Sequence, residues 1–568
     1  MCPVTRTTRW SCSAPSGVSG SCSRAGSPRR GRISPVRTLL TNGSVYSPAD
    51  PHATAIAFDD GVVSWLGDDT SAAAYATGAD EVVDLQGRLV TPAFVDAHVH
   101  AAQAGALLTG LDLAGTTNLT EALDRVAAYA AKLAPDAVVD GSGWDETKWP
   151  EGRPPTNAEL DRAADNRRVY LARVDGHSGV VSSSLATAVP NLESQSGYDA
   201  NGRVERDANH AVRDALSELV GPEQRLADAR AAVKAMGERG IGAFHEMAAP
   251  HIGPLWELPL VRQAAEEAGL AATLYWGQPG VFDNVTQYGL AGLAGDLNAD
   301  GALGSRTAAL RDPYADRADH RGHAYLTAEE IAEHVIACTE RNLQAGFHCI
   351  GDAALDNIAR GFELAAEKVG VQALVAARHR LEHVEMVDDA AIATLARCGV
   401  VASVQPMFDA HWGGPDGMYA ERVGDRWKGM NPFGSLARAG VVLAFGSDAP
   451  VTELGGWEAV RAAAFHHDVD QRITVRAAFA AHTRGGWRAA GIDDAGVLAT
   501  GTPATYAIWE SDADLVVQTP DQRVAAWSTD PRAGVPVLPD LSDEAPVPVC
   551  RRTVVDGRLV YDAEGWSS

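Results

Sequence analysis

Apolar and polar positions are arranged in two different ways along this chain. Near both ends, short apolar strands flank Asn-Gly or Asp-Gly pairs, which are the sequence signal for a tight hairpin turn. Such turns are predicted at Asn42–Gly43, Asp60–Gly61 and Asp556–Gly557. Between the two ends, short apolar runs alternate with longer, alanine-rich helical patterns. Strand–helix alternation over about 350 residues predicts a parallel α/β architecture, and the terminal hairpins predict a small β-unit built from both ends of the chain.

The first 36 residues have a different composition from the rest. They are rich in Ser, Gly, Pro and Arg and contain no acidic residue. Such a segment cannot bury enough apolar surface to offset the entropy lost on ordering, so residues 1–36 are expected to form a disordered arm outside the chemistry. The pair Arg29 and Arg30 is not followed by the apolar segment of a signal peptide,.

Charge and cysteine content narrow the class of protein. The chain has 568 residues, 46% of them hydrophobic, with a formal net charge of −26. This charge argues against binding to nucleic acid or to an anionic membrane. The seven cysteines show no CxxC spacing, which argues against a disulfide framework and favours a reducing compartment. We therefore expect an acidic, cytoplasmic enzyme.

Histidine or aspartate ends four successive candidate strands, "VDAHVH", "GFHCIGD", "RLEHVEM" and "LAFGSDAP". In a (β/α)₈ barrel the active site is built at these carboxyl ends. Two histidines two residues apart point to the same side of a strand. Several imidazoles with a carboxylate make an open site suited to Zn²⁺ or a similar divalent ion. The predicted metal ligands are His98, His100, His348, His383 and Asp448.

This ordered set resembles the amidohydrolase superfamily. Further motifs resemble amidohydrolase family 3, the group with N-substituted formamide deformylase-like proteins: "DGALGSRTA" (300–308), "GDAALDN" (351–357), "SDAPV" (447–451), "PTNAELD" (155–161) and "ARVDGHSGVVSSSLA" (172–186). The resemblance implies a (β/α)₈ barrel over 93–486, flanked by a β-sandwich composed of 37–92 and 487–568. The segment 144–209, rich in Pro, Asn, Asp and Arg, is expected to be an insertion over the barrel mouth.

The resemblance also implies roles for the site residues. His98, His100 and Asp448 would bind the more buried ion, and His348 and His383 would complete a second site or hold substrate. Asp448 would also act as general base and then as general acid. The cofactor is expected to be a divalent metal, Zn²⁺ first, with Fe²⁺, Mn²⁺ and Co²⁺ as alternatives.

One position departs from the family pattern. Many members carry a lysine, carboxylated and bridging two metals, where this chain has Asp296. An aspartate is much shorter, so we expect it not to bridge two ions, and one ion is expected rather than two. Glu246, at the end of the preceding candidate strand, is a candidate replacement ligand. An ordinary salt-bridged role for Glu246 is the alternative.

Three residues are candidates for contact with the substrate. His177, in "VDGHSG", follows an apolar run and is matched by a histidine in the family's insertion. It is therefore a candidate catalytic residue that contacts the substrate or the oxyanion. Arg306, in "GSRTA", is expected to orient a loop at the mouth. Trp144 is expected to line an apolar pocket, with packing as the alternative.

These observations favour a metal-dependent hydrolase that cleaves a C–N bond of amide or N-formyl type. A deaminase-like enzyme that releases ammonia is the first alternative, because one-ion barrels of this superfamily commonly do that. A non-catalytic, ligand-binding barrel is the second. The expected partner is a small-molecule substrate, and family resemblance suggests a homodimer.

Overall fold

Eight parallel strands form a barrel at the centre of the protein. The computed structural model describes residues 37–173, 178–516, 536–542 and 545–563. Each barrel strand pairs with the next along the chain. The barrel strands are Phe94–Val99, Ile241–Ala248, Ala271–Trp276, Gly292–Leu293, Gln344–Cys349, Arg380–His383, Val401–Val404 and Val442–Phe445.

The strands form because their residues are apolar on both faces. In the second strand all eight residues, Ile241–Ala248, are buried, as expected of a parallel strand that is covered by helices outside and filled by side chains inside. The first and last strands are joined after their ends, where Asp448 N–H donates to His98 O at 2.7 Å and His100 N–H donates to Ala449 O at 3.0 Å. This contact nearly closes the barrel and confirms the predicted (β/α)₈ architecture.

Helices follow most barrel strands and cover the outside of the barrel. The longest are Pro222–Glu238 and Asp352–Val369. No helix in the described part of the chain is both long and apolar enough to cross a membrane. The other helices from the second strand onward are Leu258–Ala268, Phe282–Tyr288, Ala328–Thr339, Val371–Ala377, Asp389–Cys398, Pro406–Trp412, Met418–Val423, Phe433–Arg438, Gly456–Ala464, Val475–Ala480 and Gly486–Ala489.

Two sheets beside the barrel form the β-sandwich, and one of them draws strands from both ends of the chain. The first sheet contains Arg37–Thr41, Ala55–Asp59, Val62–Gly67 and Glu81–Asp84, and helix Asp69–Ala76 leads into its last strand. The second contains Ser44–Val45, Leu89–Pro92, Tyr506–Glu510, Val549–Val555 and Arg558–Asp562. Their facing side chains share one apolar core that includes Leu40, Ile56 and Ile508.

One of the three predicted hairpins is wrong. Asp60–Gly61 and Asp556–Gly557 each connect two antiparallel strands, but the strands on either side of Asn42–Gly43 lie in different sheets. Asn42 has the positive φ of a turn residue, 57°, so the local turn signal was correct. The partner of each flanking strand is decided by distant residues, and the chain crosses here from one sheet to the other.

A separate five-stranded sheet lies between the first and second barrel strands in sequence. Its strands are Leu111–Asp112, Val139–Trp144, Val169–Arg173, Ser178–Val181 and Arg203–Glu205. Four helices accompany it, Leu119–Ala130, Asn157–Ala163, Ser183–Ala188 and Arg206–Leu219. The inserted unit therefore begins before residue 144, and helix Ala101–Thr109 leads into it from the first barrel strand. The strands Val139–Trp144 and Val169–Arg173, which look like barrel strands in the sequence, belong to this sheet.

Candidate metal centre

The carboxyl ends of the barrel strands bring most of the predicted ligands together. His98 and His100 lie at the end of the first strand, His383 ends the sixth, and Asp448 follows the eighth. All four side chains are buried. Asp448 Oδ1 lies 3.3 Å from His98 Nε2 and 3.1 Å from His100 Nε2. One carboxylate oxygen therefore faces two imidazole nitrogens, which is an arrangement that a cation can occupy.

Asp296 lies in the same cluster, although it is not among the predicted ligands, and the expectation that it does not bridge two ions stays a prediction. Its Oδ1 lies 3.5 Å from His98 Nε2, and its Oδ2 lies 3.3 Å from His100 Nε2. Asp296 follows the fourth barrel strand, and Gly295 before it has a φ of 92°, a left-handed conformation that favours glycine. The path of the backbone brings the carboxylate inward, so the length of the side chain is not limiting.

Two overlapping groups of side chains could hold a metal ion. One is His98, His100 and Asp448, and the other is His98, Asp296 and His383. His98 Nε2 and Asp296 Oδ1 are buried and have no hydrogen-bond partner among the described residues. Imidazole and carboxylate ligands suit Zn²⁺ and similar divalent ions. The residues present therefore fit one divalent cation at this position.

The electrostatics of the cluster agree with a cation. Burial alone would lower the pKa of His98, but the charges of Asp448 and Asp296 outweigh burial and raise that pKa to about 10. The same two carboxylates raise the pKa of His100 against the effect of burial. Two buried carboxylates thus supply negative charge that protons neutralise in the metal-free protein and that a divalent ion can neutralise instead.

Hydrogen bonds on the far side of two imidazoles orient the rings. His98 Nδ1 lies 2.9 Å from Glu382 Oε2, and His383 Nδ1 lies 2.8 Å from Gln405 Oε1. Each partner oxygen accepts the Nδ1 proton, so in each ring Nε2 is the nitrogen left to bind an ion once any proton on it has been lost. Burial alone would raise the pKa of Glu382, but Arg380 and the bond from His98 outweigh it and lower this pKa to about 2. Glu382 is therefore an ionised, buried acceptor.

His348 lies beside this cluster and not in either group that could hold an ion. Its ring is 4.5 Å from the ring of His383 between centroids. Its Nδ1, 3.9 Å from Asp300 Oδ1, has no hydrogen-bond partner among the described residues. Asp300 is held by the backbone N–H groups of three residues, Ala309, Ile350 and Gly351. His348 therefore faces the site next to a fixed carboxylate, a position compatible with holding substrate.

Glu246 also lies outside both groups. Its Oε2 accepts a hydrogen bond of 2.9 Å from Ala101 N–H at the start of helix Ala101–Thr109. Burial raises the pKa of Glu246 to about 8, so its carboxyl is largely neutral at pH 7 in the metal-free protein. This arrangement matches the alternative of a structural group, and its role as a ligand stays a prediction.

The three candidates for substrate contact are in different situations. Trp144 is fully buried in the core of the inserted sheet, where its Nε1–H donates to Leu171 O at 2.9 Å. This is the packing role. Arg306 has a φ of 59° and its Nε donates to Asp316 at 3.1 Å, so it ties down its own loop. His177 lies outside the described residues.

Comparison with known proteins agrees with the fold. The barrel and its histidine–carboxylate cluster are those of a metal-dependent hydrolase. The chain matches the amidohydrolase family over residues 81–561 and belongs to it. It is 26% identical over 450 residues to putative amidohydrolase YtcJ of Bacillus subtilis, covering 73% of this chain and 81% of that one.

Two other similarities bear on the site. N-substituted formamide deformylase of Arthrobacter pascens is 21% identical over 434 residues, which cover 70% of this chain and 77% of that enzyme. A solved structure of an uncharacterized metal-dependent hydrolase from Pyrococcus furiosus is 26% identical, with a TM-score of 0.71, and the match covers 83% of this chain and 98% of that one.

Proposed function

We propose that this hydrolase cleaves a C–N bond of an amide or N-formyl compound, with one divalent ion, Zn²⁺, held by His98, His100 and Asp448. The observation that carries the proposal is the position of Asp448, whose Oδ1 faces both imidazole nitrogens at 3.1 and 3.3 Å. A carboxylate at this position can contact both the ion and a water bound to it. A general base must be within hydrogen-bond reach of the water whose proton it takes.

When bound, a divalent cation lowers the pKa of a coordinated water from 15.7 towards ~7 and polarises a carbonyl oxygen. Asp448 takes the proton from the attacking water and passes it to the leaving nitrogen. The backbone fixes this carboxylate, because Asp448 N–H donates to His98 O at 2.7 Å. Its neighbour Ser447 donates from N–H and Oγ–H to Asp96, at 2.9 and 2.6 Å. Hydrogen bonds between the ends of the first and eighth barrel strands thus fix Asp448 relative to the imidazole ligands.

Aromatic rings beside the centre support a substrate with an apolar group on nitrogen. The ring of His383 is stacked on Phe408, with 5.7 Å between centroids and 7° between planes. Trp412 follows, 4.7 Å from Phe408. The Arthrobacter relative, by its name, deformylates N-substituted formamides. An N-aryl or N-alkyl formamide is therefore the substrate class that we propose first.

A deaminase-like reaction is the second candidate. The two candidate ligand groups share His98, which favours one ion, and one-ion barrels of this superfamily commonly release ammonia. The two reactions differ in their nitrogen product, an amine or ammonia. The test is to load metal-free protein with one equivalent of Zn²⁺ and to supply N-aryl and N-alkyl formamides and acetamides, and heterocyclic amines. Amine and formate or acetate are measured by chromatography, and ammonia by a coupled assay.

We expect amine release, and a loss of kcat of roughly 10²- to 10⁴-fold in Asp448→Asn, the range for losing a general base. Asp228→Asn, the same change at a buried carboxyl that contacts Thr109 and lies outside both ligand groups, should keep activity within a fewfold. Ammonia release without amine would establish the deaminase alternative. Turnover that survives unchanged in Asp448→Asn would refute the role of this residue.

A further inference from the structure

The carboxylate of Asp296 is placed between two histidines, with one oxygen towards each. Oδ1 faces His98 Nε2 at 3.5 Å and Oδ2 faces His100 Nε2 at 3.3 Å. The residue is only 6% exposed, and Oδ1 has no hydrogen-bond partner among the described residues. A buried carboxylate oxygen without a partner destabilises the protein unless something else, such as a cation, satisfies it.

His98 links the two candidate ligand groups into one site. Its Nδ1 is occupied by Glu382 at 2.9 Å, so only Nε2 is free to bind a metal. An imidazole nitrogen has one lone pair and binds one ion. The group of His98, His100 and Asp448 and the group of His98, Asp296 and His383 therefore surround the same ion, and not two separate ions.

We propose that Asp296 is a direct ligand of this single ion, in addition to Asp448. The inference rests on the proposed metal-dependent function and names one more residue of its site. Two carboxylates with neutral imidazoles give the site a charge that matches a divalent cation. This mixed set of imidazole and carboxylate ligands accepts Zn²⁺, Mn²⁺, Fe²⁺ or Co²⁺.

The opposing explanation is that Asp296 only pairs with protonated His98 and His100. In that arrangement the carboxylate would serve the metal-free protein, and an ion would displace the protons without taking Asp296 as a ligand. The two explanations differ in what happens to metal affinity when the carboxylate becomes an amide. A ligand is lost in the first case, whereas in the second the competing protons become easier to remove and the affinity does not fall.

The test is a metal titration of full-length protein after removal of metal by a chelator. Co²⁺ and Zn²⁺ are titrated into wild type, Asp296→Asn and the matched control Asp228→Asn, with a chromophoric chelator as competitor; Asp228 is a buried carboxyl that accepts from Thr109 at 3.0 Å and belongs to neither ligand group. We expect one equivalent per chain in wild type and control. Asp296→Asn should bind at least tenfold more weakly, since removal of even an outer group costs 10–100-fold, and the visible absorption of its Co²⁺ complex should change.

Equal affinity and an equal Co²⁺ spectrum in Asp296→Asn would overturn the proposal, and two equivalents in wild type would overturn its single-ion part. If Asp296→Asn does not fold, crystals of the wild type soaked in Zn²⁺ decide the question. A ligand oxygen lies about 2.0–2.2 Å from the ion, and an Asp296 oxygen beyond 3 Å would refute the assignment. None of these measurements needs turnover, so a protein that binds one ion through Asp296 but cleaves no C–N bond would refute only the proposed function.

Discussion

Glu382 Oε2 lies 2.9 Å from His98 Nδ1, and both side chains are fully buried. The other oxygen of this carboxylate, Glu382 Oε1, accepts a hydrogen bond of 2.6 Å from Arg380 Nε. The Arg380 guanidinium also contacts Ala97 O at 2.7 Å and His245 Nδ1 at 2.9 Å. An arginine in the barrel core thus holds the carboxylate that holds His98, and the orientation of this ligand is set by strands one, two and six together.

Glu382→Gln should weaken metal binding by roughly 10–100-fold, the usual effect of losing a group that orients a ligand. The amide keeps the shape, but it removes the charge that favours the proton on His98 Nδ1 and leaves Arg380 buried without its anion. The measurement is a Zn²⁺ titration against a chromophoric chelator. Asp228→Asn is the control, because Asp228 is also a buried carboxyl, and its pKa is raised mainly by burial and is not affected by any residue of the metal centre. Similar losses in both variants would contradict a specific role for Glu382.

Sequence reasoning predicted the barrel and most of the metal centre, because both depend on local patterns. Apolar runs that end in His98, His100, His383 and Asp448 can be recognised one strand at a time. Once the strands are parallel and adjacent, their ends must meet. The Asp60–Gly61 hairpin is equally local.

Features that depend on long-range pairing or on the exact path of a loop could not be predicted in this way. The Asn42–Gly43 turn forms, but its strands find partners far away in sequence. The strand Val139–Trp144 looks like a barrel strand and pairs in the inserted sheet. The approach of Asp296 to His98 and His100 depends on the path of the loop that carries it. The packing role of Trp144 follows from burial, which its neighbours in sequence do not reveal.

Gly446→Ala should disturb His98 directly. A Cβ built on Gly446 would lie 2.4 Å from His98 N and 2.7 Å from His98 Cβ, and neither atom can move without moving the first barrel strand. We expect a stability loss of about 1–3 kcal/mol, as for other overpacked cores, and at least tenfold weaker Zn²⁺ binding. Thermal melts and metal titration measure the two effects. Gly429→Ala is the control, since its Cβ would meet nothing within 4 Å, and unchanged metal affinity in Gly446→Ala would show that the strand adapts.

Trp144→Phe separates packing from substrate contact. The change removes the N–H that donates to Leu171 O at 2.9 Å in the buried core, so stability should fall by about 0.5–1.5 kcal/mol, the net contribution of one hydrogen bond. The KM of Trp144→Phe for any formamide that the protein hydrolyses should stay within twofold of the wild-type value. Trp149→Phe is matched, because Trp149 Nε1–H donates to Thr116 O at 2.9 Å in the same core. A tenfold rise in KM in Trp144→Phe alone, with stability preserved, would restore the substrate-binding interpretation.

The helix Asn157–Ala163 begins with a capping box whose strength depends on pH. Glu159 accepts hydrogen bonds from Thr156 N–H at 2.8 Å and from Arg153 at 2.7 and 2.9 Å. The bond from Arg153 is the main reason that the pKa of Glu159 falls from 4.5 to about 2. Because the folded pKa lies below the ordinary one, the stabilisation is complete above pH 4.5 and is lost as the pH falls towards 2.

Glu159→Gln should therefore speed hydrogen exchange in this helix at pH 7 by roughly two- to fivefold, a modest effect because Arg153 is 46% exposed,. The difference between variant and wild type should shrink between pH 4.5 and 2, after correction for the intrinsic exchange rate, and 1 M salt should reduce it at pH 7. Glu330→Gln is the matched control, since Glu330 caps Ala328–Thr339 through Thr327 and its pKa is lowered by Thr327 alone. Its effect should survive salt, and equal salt sensitivity at both caps would contradict the contribution of Arg153.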